Sequence, residues 1–166
     1  MKTVCKTLKE LTHEQVYEII KSRIEIFAIE QECIYQDCDD FDYGLHVFYE
    51  DDDGRAVAYL RMYEIEDSQM AAFPMEGSTE TVRYTVREGV RTVQMGRVLT
   101  LEHSKGLGGR LLKEGIKAAR EIMKADLIYI EAETYVVGFY EKEGFKLCSG
   151  EFLKDDIPHM MMELEL

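Results

Sequence analysis

Residues 98–112 read VLTLEHSKGLGGRLL. A β-prone apolar run, Val98-Leu99-Thr100-Leu101, meets a cluster of glycines, and a leucine-rich segment begins at once. Leu107, Leu111, Leu112, Ile116, Ala119 and Met123 then recur at helical spacing, which predicts a strand, a tight turn and a helix. Such a turn exposes backbone N–H groups at a helix N-terminus, where the helix dipole also favours an anion. Glycine removes the Cβ that would hold a phosphate away from the main chain. A strand-to-helix turn without a ligand uses glycine equally well, and on the glycines alone the two readings stand level. Spacing excludes two nucleotide motifs. Gly-x4-Gly-Lys-Ser/Thr is missing, and after Gly106 and Gly108 the third GxGxxG position holds Leu111.

Upstream, residues 90–100 are strand-like, and downstream so are 127–133, LIYIEAE. Two strands joined through a helix lie parallel within one sheet. Residues 3–8 read as a first strand. Thr12-x-x-Gln15 fits a capping box, and Val16, Ile19, Ile20, Ile24 and Phe27 mark one face of a helix ending near Ile29. Residues 45–50 and 55–65 predict a hairpin around Asp51-Asp52-Asp53-Gly54. Residues 66–80 form an excursion, and 82–87 with 90–100 predict a second hairpin turning at Glu88-Gly89. A short helix over 136–143 ends at Gly144, and strands over 145–153 and 159–166 close the chain. This order predicts an α+β fold with α/β/α layers: one domain over 1–166, whose central sheet is mixed and mostly antiparallel.

The length, 166 residues, suits one domain that needs neither disulfide nor metal. Apolar residues at 46% and charged residues at 32% exclude disorder. No apolar run approaches a membrane span, and the N-terminus MKTVCKTLKELTHEQ lacks a signal-peptide core, which predicts a cytoplasmic protein off the membrane. The net charge of −13 excludes nonspecific nucleic-acid binding. It suits cationic small molecules, and equally a surface that only aids solubility. Cys5, Cys33, Cys38 and Cys148 lack a second ligand pair and read as reduced thiols. Asp37, Asp39, Asp40 and Asp42 fail the EF-hand spacing and read as a solvated loop.

After the strand ending Glu131-Ala132-Glu133 comes Gly138-Phe139-Tyr140-Glu141-Lys142-Glu143-Gly144-Phe145. With the glycine turn, these segments resemble the GNAT superfamily of acyl-CoA-dependent N-acetyltransferases. Its pyrophosphate loop is Arg/Gln-x-x-Gly-x-Gly/Ala, and its later signature Phe-Tyr-x-x-x-Gly-Phe is matched from Phe139 to Phe145. Arg23-x-x-x-Phe27-x-x-Glu30-Gln31-x-Cys33-x-Tyr35-x-Asp37-x-Asp39, Gly96-Arg97-Val98 and Asp156-Ile157-Pro158-His159-x-x-Met162 are similar to the ElaA-type subgroup. His103 stands at the loop position usually held by Arg or Gln, and residues 66–90 look like an insertion.

The resemblance implies acetyl transfer from acetyl-CoA to an amine, by direct attack and without a metal. Acetyl-CoA would bond to the backbone of Val98, Leu99 and Thr100. Its pyrophosphate would sit at Ser104, Lys105, Gly106, Leu107, Gly108, Gly109 and Arg110. The Leu99 N–H would stabilise the oxyanion, and Tyr140, beside the sulfur, would protonate the thiolate. Phe27, Glu30, Gln31, Tyr35, Arg97 and His159 would line the acceptor side. Glu30 or His46 would serve as base, with His159 a further candidate in the acceptor cleft. A solvated helix-end carboxylate and a structural histidine are the competing readings, the latter for His159 as well. Arg97 fits half of an ion pair as readily as a cleft residue. The acceptor would be a small-molecule or peptide amine, and the acidic stretch from Glu30 to Asp42 suits a cationic one. Two other functions fit the same fold: a non-catalytic acyl-CoA-binding protein, and an interaction module docking a partner or a second copy through 66–90.

Overall fold

A computed structural model describes residues 1–102 and 106–166. The elements are β1 (Lys2–Thr7), α1 (His13–Arg23), β2 (Leu45–Glu50), β3 (Ala56–Glu64), β4 (Ala72–Pro74), β5 (Thr81–Arg83), β6 (Thr92–Thr100), α2 (Leu107–Glu121), β7 (Leu127–Glu133), α3 (Val137–Glu141), β8 (Lys146–Leu147), β9 (Phe152–Lys154) and β10 (Ile157–Glu165). Residue contacts divide the chain into two units, Met1–Tyr63 with Met95–Ala118, and Glu64–Gln94 with Ala119–Leu166. Among the described residues no helix is long and apolar enough to cross a membrane.

In the first unit the strand order is β1-β2-β3-β6. β1 and β2 pair antiparallel from Lys2↔Glu50 to Thr7↔Leu45, and β2 and β3 from Leu45↔Met62 to Glu50↔Ala56. The expected turn between β2 and β3 forms because Asp51 Oδ1 accepts the N–H groups of Asp53 (3.0 Å) and Arg55 (2.8 Å). The capping box of α1 forms too. Thr12 Oγ1 accepts from Gln15 N–H at 3.2 Å, and Gln15 Oε1 accepts from Thr12 N–H at 3.3 Å. Neighbouring residues of a strand face opposite ways, so buried Tyr59 and Leu60 show that both sheet faces are covered. Tyr59 packs with Val4, Phe48, Ile19 and Ile26 on the α1 side. On the other side α2 comes so close that a Cβ at Gly115 would lie 2.8 Å from Leu60 Cδ2. These are the expected helix, sheet and helix layers.

The α1 face departs from expectation beyond Arg23. Ile24–Glu30 winds as a π-helix, and Gln31 N–H donates to the Ile26 carbonyl at 2.9 Å. Ile26 is buried while Ile24, expected inside, is 47% exposed, because the buried stripe runs through Gln15, Ile19, Ser22 and Ile26 and passes Ile24 by.

In the second unit the order is β6-β7-β10, with β8 and β9 both on the far edge of β10. β6 and β7 are parallel in the register Thr92↔Leu127, Val93↔Ile128 and Gln94↔Tyr129. β10 runs antiparallel to β7 from His159↔Glu133 to Glu165↔Leu127. Mixed, mostly antiparallel pairing is thus present as expected, and Gly144 follows α3 with φ +94°.

Two expected elements are corrected. The 82–87/90–100 hairpin is absent, because β5 pairs with β4 in a separate small sheet, from Ala72↔Arg83 to Pro74↔Thr81. The turn itself exists, with Val90 N–H on the Arg87 carbonyl at 3.2 Å, but Asp67 draws the preceding segment away. Its carboxylate accepts from Val86 N–H (3.1 Å) and from Arg83 Nη2 (3.0 Å). The strand expected over 145–153 is split between β8 and β9, and Ser149 Oγ takes the Met161 N–H at 2.9 Å where the ladder is interrupted. β9 and β10 join through Asp155 (φ +52°) and Asp156 (φ +60°), a two-residue type I′ turn that aspartate tolerates.

Candidate functional site

The strand–turn–helix stretch lies in the first unit. Ser104 and Lys105 of the expected loop, with His103, lie outside the described residues. Gly106 has φ +69°, and among the described residues no atom lies within 4 Å of where a Cβ would stand at Gly106 or Gly109. The open space beside the start of α2 suits a ligand that approaches the main chain. Arg110 is exposed in this first turn, and its N–H donates to the Gly106 carbonyl at 3.3 Å. Leu99 and Leu107 are buried, and Val98, Thr100, Gly108 and Gly109 are half-buried. These residues fit a phosphate-bearing cosubstrate.

Within β6, Arg97 adopts φ +53°, a left-handed conformation that costs a non-glycine residue about 1–2 kcal/mol. Its side chain offsets the strain. Nε donates to Asp37 Oδ1 at 2.7 Å, and the guanidinium lies 4.9 Å from the centre of the Tyr35 ring. The structure thus brings two expected acceptor-side residues together, with Arg97 as half of an ion pair. Burial pushes the Tyr35 hydroxyl up to about 12 against the opposing charge of Arg97. Phe27 is half-buried against the core that contains Ile26 and Tyr59, while Glu30 and Gln31 are exposed at the end of the π-helix.

The aspartates expected in a solvated loop are instead heavily paired. Arg23, 1% exposed, donates Nε to Asp37 Oδ2 (2.7 Å), Nη1 to Asp42 Oδ1 (2.6 Å) and Nη2 to the Asp37 carbonyl (2.6 Å). Arg61, also buried, donates Nη1 to Asp42 Oδ1 (2.5 Å) and to Asp39 Oδ1 (2.6 Å), and Nη2 to Asp39 Oδ2 (2.8 Å). Burial acts to raise the Asp42 carboxyl. The hydrogen bond and charge of Arg23, with those of Arg61, more than reverse this and hold it below its ordinary value. With Arg97, three arginines offset the charge of Asp37, Asp39 and Asp42.

His46, 2% exposed, uses both ring nitrogens. The Asp42 carbonyl, 2.7 Å from Nε2, can only accept, so Nε2 carries the proton and Nδ1 accepts from the Tyr59 hydroxyl at 2.8 Å. Burial holds its pKa below the ordinary value, against the bond to Asp42. No lone pair is left to take a substrate proton, which corrects the expectation of His46 as base. A cavity of about 390 Å³ lies between Leu8, Leu11, Val16 and Ile19 on one side and Arg23, Asp39, Asp42 and His46 on the other. Those four polar walls bond to protein partners, and Phe27, Glu30, Gln31, Tyr35 and Arg97 do not line it.

In the second unit, Tyr140 is buried in α3, edge-on to Phe139 and Phe145. Burial, then the charge of Glu133, raises its pKa and keeps the hydroxyl protonated. His159, 9% exposed, donates Nδ1–H to the Ile157 carbonyl at 2.7 Å and stands between Glu133 of β7 and Phe152 of β9. Glu131 accepts from the Tyr129 hydroxyl at 3.0 Å and pairs with Lys154. Glu163 accepts from the Tyr84 hydroxyl (2.6 Å) and Arg87 (2.5 Å), and Tyr84 stacks on Tyr129 at 4.0 Å between centres. The sequence signal for this polar face is the alternation Tyr129-x-Glu131-x-Glu133, which places all three on one side of β7.

The chain matches the family model described as an acetyltransferase (GNAT) domain over residues 7–166. A UPF0039 protein of Schizosaccharomyces pombe is 28% identical over 167 residues, covering 98% of this chain and 96% of its own. Protein ElaA of Escherichia coli is 25% identical over 162 residues, covering 95% of this chain and 92% of its own. The crystal structure of ElaA superposes with a TM-score of 0.77 over 99% of this chain and 100% of that one, at 24% identity. An acyl-CoA N-acyltransferase from Pseudomonas aeruginosa superposes with a TM-score of 0.75 at 27% identity, covering 98% of this chain and 99% of that one. The chain belongs to the GNAT acetyltransferase family, in its ElaA-type branch.

Proposed function

We propose that this protein transfers the acetyl group of acetyl-CoA to an amine by direct attack. The glycine turn at the start of α2 carries the proposal, because among the described residues the main chain at Gly106 and Gly109 stands open at a helix start, which suits the pyrophosphate. Acetyl-CoA would bring the activated thioester. The N–H groups of the α2 first turn and the Arg110 side chain hold the phosphates, and the Leu99 N–H donates to the oxygen that gains charge. Tyr140, held protonated by burial, gives its proton to the leaving sulfur. The name of the Pseudomonas aeruginosa relative supports this chemistry, and the four free cysteines suit a reducing cytoplasm. The acceptor is a small-molecule or peptide amine. The exposed Glu30, Glu32 and Asp40 of the acidic stretch favour a cationic one.

Two measurements test the proposal. Acetyl-CoA should raise the melting temperature, by linkage worth about 2.7 kcal/mol at a hundredfold excess over Kd. A panel of amines should then release CoA thiol, and Tyr140→Phe should lower kcat about 10²–10³-fold with acetyl-CoA affinity unchanged. No thermal shift at millimolar acetyl-CoA overturns the cosubstrate. Binding without thiol release identifies a non-catalytic acyl-CoA-binding protein.

A further inference from the structure

We propose that His159 is the general base that deprotonates the acceptor amine, an inference that rests on the acetyltransferase reading above. The two buried histidines differ in one respect that decides the role. His46 spends both nitrogens inside the fold. His159 spends only Nδ1, whose N–H donates to the Ile157 carbonyl at 2.7 Å. That bond fixes the tautomer and leaves the Nε2 lone pair directed away from the backbone. Nε2 is not among the fully enclosed, unpartnered polar atoms of the described residues.

Its placement agrees with the role. In the register of β10, His159 lies opposite Glu133 on one side and Phe152 on the other, and residues opposed across strands share a face. The Phe152 ring lies 5.8 Å from the imidazole centre, tilted by 30° to it. Glu133 is also the residue whose charge bears on the Tyr140 hydroxyl. Base and acid therefore flank one carboxylate at the end of β7. Glu131 of β7 and Lys154 of β9 face the same side and are paired with each other.

The proton balance is closed. Nε2 takes one proton from the ammonium form of the acceptor and passes it to solvent. The neutral nitrogen forms the C–N bond to the acetyl carbon, and the C–S bond breaks. Tyr140 gives its proton to sulfur, and the second proton lost by nitrogen restores Tyr140 through water. The products are the amide, the thiol and one released proton.

His159→Asn retains a nitrogen donor for the Ile157 carbonyl and removes the base. The expected result is a fall in kcat/KM for the amine of about 10²–10³-fold, with the KM for acetyl-CoA unchanged. The acid limb of the pH–rate profile should disappear, and added imidazole should restore part of the rate. A folded His159→Asn protein within threefold of wild type, with its acid limb intact, overturns the assignment. Should that variant fail to fold, His159→Gln decides by the same profile, and an intact acid limb with turnover within threefold of wild type overturns the base. Wild-type protein that releases no thiol with any amine overturns the transferase reading and the base together. Normal wild-type turnover with an unaffected variant overturns the base alone.

Discussion

Residues 31–44 of the first unit and 65–91 of the second are both irregular segments laid on a sheet, and different physics holds them. The first is fastened by arginines sealed from water, Arg23 and Arg61, each gripping two carboxylates. The second is fastened by rings, Tyr84 on Tyr129 and Phe73 on Phe152. Its ion pairs lie nearer solvent, as in Arg83–Asp67, whose side chains are 38% and 50% exposed. Burial of the partners, more than their number, sets what such a pair contributes. The chain is strongly acidic, yet three carboxylates of its most acidic loop are offset by arginine, so composition does not say where the field lies.

Arg23→Ala tests this contrast most severely. It removes a buried cation shared by Asp37 and Asp42, which keep Arg97 and Arg61, and the expected loss is about 3 kcal/mol in denaturant unfolding. A loss under about 1 kcal/mol would put the buried lattice on a par with a surface pair and end the contrast. Acid should act on the same unit. Below about pH 6.5 the unfolded chain binds a proton at His46 that the folded chain refuses, so stability falls with pH from there. The depressed Asp42 carboxyl contributes stability above about pH 3.9 that is lost as pH falls through its folded value, which steepens the decline. Each proton is worth at most about 1.4 kcal/mol per pH unit, and His46→Gln should flatten the upper window when urea midpoints are followed from pH 7 to 5. In the second unit, Tyr84→Phe keeps the stack on Tyr129 and removes the bond to Glu163, and should cost about 1.5 kcal/mol by the same measurement. Arg83→Ala should cost less than about 1 kcal/mol, because its partner is half in water. A larger effect for Arg83 than for Tyr84 would mean that ion pairs, rather than rings, hold the second segment.

What was legible in the sequence follows the range of the interactions. Thr12 with Gln15, Asp51 with Arg55, and the run from β6 through α2 to β7 are set by neighbours, and their patterns carry through to the structure. The π-winding after Arg23 and the pairing of β5 with β4 arise from distant contacts that leave no local period. The same division runs through the site. Spacing marked the glycine turn, and the resemblance carried by Phe139 to Phe145 marked Tyr140. Arg23 with Asp37 and Arg61 with Asp39 meet across 14 and 22 residues, so the loop looked solvated when read residue by residue. The histidines were indistinguishable until the carbonyls of Asp42 and Ile157 were located beside them.

The turn at Asp155–Asp156 has a consequence for how this chain could change over time. β10 is anchored to β7 along nearly its whole length, whereas β9 is three residues long and hangs from β10 alone in the main sheet. One residue added to the turn would leave β10 where it is and slide β9. Because side chains alternate along a strand, the slide would turn Phe152 and Lys154 to the opposite side and bring Leu153 in. His159 would keep Glu133 and lose its aromatic neighbour, and Glu131 would lose its lysine. The turn therefore acts as a phase lock. It fixes the company the histidine keeps without fixing its position, and a length change there would alter that company while both strands kept their sequences.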